Sequence, residues 1–368
     1  MVDSRHLKNF DITLFLTTLA LIVYSCLMIY SAGSGGSKAV GYVEKQIVWA
    51  ILGLIGAAVV ASIDHTIYQR YAGKLYWLTL AMLTAVILLG HSSKGAQRWI
   101  DIAGFRIQPS EFAKIFLIIA LAVFLVKRQE KIRSLETFVL SFLYLAVPML
   151  LIFKQPDLGT SLVLLAIWIT MSFVVGTDTK NILLFAGGTL LLALVVWHTP
   201  GLLKPYQKDR VITFVDPASD PRGSGYHVNQ SRIAIGSGQM LGKGFLHGTQ
   251  KELNYIPEQH TDFIFTVVGE ETGFVGAGAL VFLYFVLLWR GLNIVATTED
   301  TTGRAIAAGV VGMFLFHIFV NMGMTLGIMP VTGVPLPMFS YGGSSLMANM
   351  MAIGLLQGIG MRRHKISF

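Results

Sequence analysis

The 368-residue sequence predicts an all-α polytopic membrane protein, with ten transmembrane helices and a long extracytoplasmic loop between helices seven and eight. Three observations carry that prediction. Charged residues make up only 13% of the chain against 54% hydrophobic, with a mean hydropathy of +0.65. A soluble domain has about a quarter charged residues, so this chain lacks the polar surface to coat a globule in water. The apolar residues fall in blocks near the ~20 residues that a spanning helix requires. Finally, Lys and Arg divide unequally between alternate loops, as topology demands.

In chain order the blocks are 12–30, 46–63, 75–90, 110–126, 137–153, 159–176, 182–198, 263–289, 305–329 and 342–361. The first, with Arg5 and Lys8 before it and Ser31-Ala32-Gly33 after it, has the outline of a signal peptide; nine further spans favour an uncleaved first helix. With the N-terminus inside, fourteen Lys and Arg fall in cytoplasmic pieces, against six in the outer loops other than 199–262. Both termini are therefore expected in the cytoplasm, and residues 1–368 form one transmembrane domain. A single cysteine, Cys26, excludes an internal disulfide framework and a Cys-based zinc site. The net charge of +8 fits topology and anionic lipid headgroups rather than nucleic acid, for which no basic domain with interleaved aromatics exists.

Residues 199–262 are far longer than an ordinary connection, and such loops tend to be functional. They carry Lys204, Lys208, Arg210, Arg222, Arg232, Lys243 and Lys251 on the outside, against the charge rule. An anionic substrate at the outer face would account for them.

Ionisable groups inside spans cost roughly 2.5–3.5 kcal/mol each, which makes every one a site candidate. Glu111 and Lys114 share one face at the start of span four, either as a self-neutralising pair or as the charged wall of an outward cavity that offers Lys114 to an anionic headgroup. Asp157, after Pro156, either caps span six or belongs to a site. Glu270 and Glu271, two turns into span eight, need partners that spacing does not identify. His317 and Asn321, one turn apart in span nine, suit hydrogen bonding between helices. Thr261 or Asp262 is expected to cap span eight, below the basic loop and near Glu258 and His260. A carboxylate there can act as a base or hold a divalent cation that bridges phosphates. The helix dipole would make a capping aspartate a weak base and favour a positioning or metal-linked role.

Phosphate-loop, dinucleotide-binding, HExxH and GxSxG patterns are all absent. Asn229-Gln230-Ser231 is a weak match to a glycosylation sequon.

Four motifs resemble the SEDS family (shape, elongation, division and sporulation). They are Lys94-Gly95-Ala96-Gln97-Arg98-Trp99 followed by Gln108-Pro109-Ser110-Glu111-Phe112-Ala113-Lys114; Gln155-Pro156-Asp157-Leu158-Gly159-Thr160-Ser161; Gly242 to Gln250 leading into Pro257 to Phe265; and Gly333-Val334-Pro335-Leu336-Pro337 with Ser340-Tyr341-Gly342-Gly343-Ser344. Phe245-Leu246-His247-Gly248-Thr249-Gln250 is similar to the elongation branch (RodA type) more than to the division branch (FtsW type).

The resemblance implies a peptidoglycan glycosyltransferase in the cytoplasmic membrane that polymerises lipid II at its outer face and works with a class B penicillin-binding protein. It implies Asp262 as the catalytic residue and as a possible ligand of a divalent cation, Mg²⁺ or Mn²⁺. It brings Lys94, Arg98, Trp99, Glu111, Lys114, Asp157, Lys243, Gln250, Glu258, His260, Ser340 and Ser344 forward as substrate-binding candidates. Ten spans with buried charges also suit a transporter that flips lipid II, and a scaffold for the penicillin-binding protein is a third reading.

Overall fold

Helices form here because a bilayer offers no partner for a bare N–H or C=O, so each segment must satisfy its own backbone. The computed structural model describes residues 9–33, 35–93, 96–102, 105–199, 208, 212–214, 216, 220, 223–249 and 259–362. Ten of its helices are long and apolar enough to cross a membrane. They are α1 (Ile12–Ala32), α2 (Ser37–Ser62), α3 (His65–Leu89), α4 (Pro109–Val126), α5 (Leu135–Lys154), α6 (Leu158–Val175), α7 (Thr179–His198), α9 (Ile264–Thr297), α10 (Thr301–Thr325) and α11 (Gly343–Met361). An eleventh helix, α8 (Ser224–Ser237), packs against α9 and α10 from within the long loop. Asn229-Gln230-Ser231 lies within it, and Ser231 is buried with Oγ bonded to Thr266 and to the Thr325 carbonyl, so the sequon is structural.

Several helices outrun their apolar blocks. α2 starts at Ser37 rather than 46, α3 at His65 rather than 75, and α9 reaches Thr297 rather than 289. Hydropathy marks only the stretch that must lie in hydrocarbon, whereas a helix ends where a cap stops it. Asp side chains supply many of the starts: Asp11 accepts from Leu14 N, Asp64 from Thr66 N, Asp178 from Lys180 N and Asp300 from Gly303 N. The Asp300 cap moves α10 four residues upstream of the expected 305–329.

α4, α10 and α11 form the interior, and α7 lies at the periphery with Leu183, Leu184, Leu190, Leu191 and Leu192 exposed. α7 is tied in by Phe185, which meets the Trp168 ring at 4.8 Å, while Trp168 Nε1 donates to Ser141 Oγ at 2.8 Å. α2 and α11 pack backbone against backbone: a β carbon on Gly354 would stand 2.4 Å from the Ala57 carbonyl oxygen. Gly354 and Gly358 thus make the small-residue contact that lets membrane helices pack backbone to backbone.

Like α8, a further element lies where only loop was expected. Residues 91–107, read as a loop, hold a three-stranded antiparallel ribbon of β1 (His91–Ser93), β2 (Ala96–Ile102) and β3 (Phe105–Ile107), with His91 opposite Trp99 and Asp101 opposite Arg106.

At the end opposite this ribbon, Asp11 joins three spans. Its Oδ2 lies 2.6 Å from Arg290 Nη2, and its backbone carbonyl accepts from Gln357 Nε2 at 2.8 Å. Asp11 is buried, so its removal strands a partly buried guanidinium. Asp11→Ala should cost about 2 kcal/mol, the scale of a hydrogen bond to a charged group. A lowered unfolding midpoint of the detergent-solubilised protein would register the loss.

Candidate functional site

The N-terminal ends of α4, α6, α9 and α11 converge beside the ribbon, and the predicted residues collect there. Asp262 belongs to a turn over residues 259–263. It does not cap α9: Phe263 holds the cap position, and no side chain caps there. The expected N-cap is therefore corrected. The turn is fastened by its backbone instead. Asn321 Nδ2 donates to the Asp262 carbonyl at 3.0 Å and to the Val334 carbonyl at 2.8 Å. Ser340 Oγ donates to the Thr261 carbonyl at 2.6 Å and accepts from Leu336 N at 2.9 Å. Tyr341 N donates to the His260 carbonyl at 2.9 Å.

The Asp262 side chain is half-buried and lies over Gly333, where a β carbon would stand 3.5 Å from Oδ2. Next to it the His260 ring stacks on Tyr42 at 4.8 Å and meets Tyr341 at 5.5 Å. Burial, and then the neighbouring Tyr42, push the Tyr341 phenol above its usual range, so it stays protonated.

The loop under Asp262 also meets α6, because a β carbon on Gly159 would stand 2.8 Å from the Thr332 carbonyl oxygen. Asp157 both caps α6 and joins a wider network. It accepts from Thr160 N at 3.1 Å and from Gln108 Nε2 at 3.4 Å, and its Oδ1 lies 3.8 Å from Arg98 Nη1. Arg98 reaches across from β2, donating through Nε to the Gln155 carbonyl and through Nη2 to the Pro156 carbonyl. Trp99, half-buried, follows it on the ribbon. Ser344 ties the ribbon to α4 and α11 by accepting from Gln108 N at 3.1 Å and donating to the Arg106 carbonyl at 3.3 Å.

Glu111 and Lys114 do not wall an open cavity. Both are buried, with Lys114 Nζ 3.0 Å from Glu111 Oε2 and 3.2 Å from His317 Nε2. In this conformation Lys114 is held by protein groups, not presented to a headgroup.

Lys243 is likewise committed. Its Nζ reaches Glu270 Oε1 at 2.7 Å and Thr249 Oγ1 at 2.8 Å. The cause is a break in α9 at Gly273, whose φ of 61° suits glycine. Residues 239–244 dock into that break: Lys243 N and Gly244 N donate to the Glu270 and Glu271 carbonyls, while Phe274 N and Val275 N donate to those of Gln239 and Met240. The two glutamates thereby gain the partners that spacing left open. Glu270 accepts from Thr249 N at 2.9 Å, and Glu271 accepts from Ser31 Oγ at 2.6 Å and Leu246 N at 3.2 Å.

Lys94, Gln250 and Glu258 lie outside the described residues, as do Lys204, Arg210, Arg222 and Lys251 of the basic loop. Among the described residues no three His, Cys, Asp or Glu side chains converge as metal ligands. Sequence reasoning missed Tyr42, which it placed in a loop, and it saw no link between Asn321 and Asp262.

The family model described as "Cell cycle protein", covering FtsW, RodA and SpoVE, matches residues 8–365. Peptidoglycan glycosyltransferase MrdB of Escherichia coli strain K12 is 41% identical over 376 residues, spanning 100% of this chain and 99% of that one. A chain from a solved structure on the structural coordination of polymerization and crosslinking by a peptidoglycan synthase complex superposes with a TM-score of 0.82 at 31% identity, over 97% of this chain and 99% of its own. The rod shape determining protein RodA of Thermus thermophilus gives 0.71 at 28% identity, over 97% and 98%. With the family model matched almost end to end and a relative this similar at full length, the chain belongs to the FtsW, RodA and SpoVE family of cell cycle proteins, the SEDS family its motifs resembled.

Proposed function

We infer that this multi-pass membrane protein is a peptidoglycan glycosyltransferase that polymerises lipid II into β-1,4-linked glycan strands during cell elongation. The observation that carries the reading is the Asp262 turn: a half-buried carboxylate whose backbone neighbours are pinned by Asn321, Ser340 and Tyr341. Fixing the backbone of the turn holds a base in place for an incoming hydroxyl.

In this mechanism the 4-hydroxyl of the acceptor GlcNAc attacks C1 of the donor MurNAc from the face opposite its diphosphate. The new C1–O bond forms as the C1–O(phosphate) bond breaks. The released electron pair stays on undecaprenyl diphosphate, and the hydroxyl proton passes to the Asp262 carboxylate. Inversion at C1 gives the β linkage. Diphosphate is a good leaving group once its charge is balanced, so no second carboxylic acid is required. Arg98, three-quarters covered and linked to Asp157, contributes positive charge at this end. A divalent cation, Mg²⁺ or Mn²⁺, remains part of the proposal as a counter-ion that arrives with the diphosphate; no step is assigned to it.

The proposal places the Asp262 end at the outer face of the cytoplasmic membrane, with the Arg290 and Arg362 end inside, and pairs the chain with a class B penicillin-binding protein. That partner's transpeptidase would crosslink the strands. The competing reading is a transporter for lipid II. Proteoliposomes holding the protein, its partner and fluorescent lipid II separate the two. Strand synthesis without accelerated exchange of label between leaflets supports the enzyme, whereas exchange without strands overturns it.

A further inference from the structure

His317 is 1% exposed in the middle of α10, and the mechanism above leaves it unused. It joins three elements. Its Nε2 lies 3.2 Å from Lys114 Nζ of α4, and its Nδ1 lies 3.0 Å from the carbonyl of Pro335 in the loop before α11. The partners dictate its state. A carbonyl only accepts and an ammonium only donates, so Nδ1 carries the hydrogen and Nε2 is bare: a neutral imidazole, assigned from its hydrogen bonds.

That neutrality matters to Lys114. Glu111 already compensates the ammonium at 3.0 Å. A second carboxylate at position 317 would leave the cluster net negative, and an apolar residue would leave one ammonium hydrogen without an acceptor in a dry interior. Imidazole aims the charge without cancelling it. One turn along the same helix, Asn321 holds Val334, the residue before Pro335, together with the Asp262 carbonyl. Both side chains therefore clip one loop, and through it the Asp262 turn, to α10.

We propose that His317 is a positioning residue of the polymerisation site, holding the Lys114 ammonium at a fixed place relative to the Asp262 turn through its paired bonds to Lys114 and Pro335. The proposal rests on the polymerase reading, and one experiment separates the two. His317→Gln keeps an acceptor within reach of Lys114; His317→Asn keeps a donor near Pro335 and gives up Lys114; His317→Leu gives up both. Each variant, purified with its partner, is compared with wild type for kcat and KM on labelled lipid II and for its thermal unfolding midpoint.

The expected result is kcat lowered about 10²-fold in His317→Asn, the scale of a 1 Å misplacement, with near-wild-type turnover in His317→Gln and similar midpoints for the two. His317→Leu should be no more active than His317→Asn. Equal turnover in His317→Asn and wild type overturns the proposal, as does activity that only tracks the midpoint across all variants. Wild type that makes no strands overturns the polymerase reading itself.

Discussion

Asp262→Asn should lower kcat for strand synthesis by about 10²–10⁴, the range of a positioned general base, while leaving KM for lipid II nearly unchanged. Asparagine matches aspartate in shape, and the bonds that Asn321, Ser340 and Tyr341 make to this turn run to the backbone of Asp262, Thr261 and His260. The turn therefore survives the change. What disappears is the acceptor for the hydroxyl proton, which is needed in the transition state and not in the bound ground state. A cost confined to the transition state falls on kcat. The expected factor corresponds to ~3–5 kcal/mol of barrier. A matching rise in KM with kcat unchanged would instead make Asp262 a binding residue.

Gly354→Val should be the most damaging single change to the fold away from the site. The added β carbon would stand 2.4 Å from the Ala57 carbonyl oxygen and 2.7 Å from its Cα, both backbone atoms that have no rotamer to change. α2 and α11 would have to separate, and Trp49, packed over Gly343 at the other end of the same contact, would move with them. Overpacking costs about 3 kcal/mol at the upper end of its usual range. The variant should lose most of its monodisperse fraction after detergent extraction. Gly41→Ala, where nothing stands within 4 Å of the new β carbon, should behave as wild type.

The ten spans were legible because the bilayer imposes one rule on every segment, and apolar runs report it directly. Their ends were less legible because capping is local chemistry that hydropathy ignores. Ser37–Lys45 of α2 and His65–Lys74 of α3 are helical yet polar enough to read as loop. The ribbon was hidden for a similar reason: Ile100-Asp101-Ile102 alternates over too few residues to stand out among long apolar blocks. At the site, the sequence identified residues but not their partners. Lys114 was visible as a charge inside a span, but its second partner, His317, lies 203 residues away on another helix. Asp262 stood out by position, yet its expected cap was wrong because the turn continues one residue farther, to Phe263, before α9 begins. Neither Asn321 nor Ser340 announces from spacing alone that it fastens that turn.

Sidedness tests the central claim most directly. Lipid II is supplied to oriented proteoliposomes either on the face bearing Asp262 or on the face bearing Arg290 and Arg362, and strands and released undecaprenyl diphosphate are counted. The account predicts strands only from substrate at the Asp262 face, with one undecaprenyl diphosphate released for each disaccharide added. Equal synthesis from both faces, or synthesis that Asp262→Asn leaves intact, would contradict it.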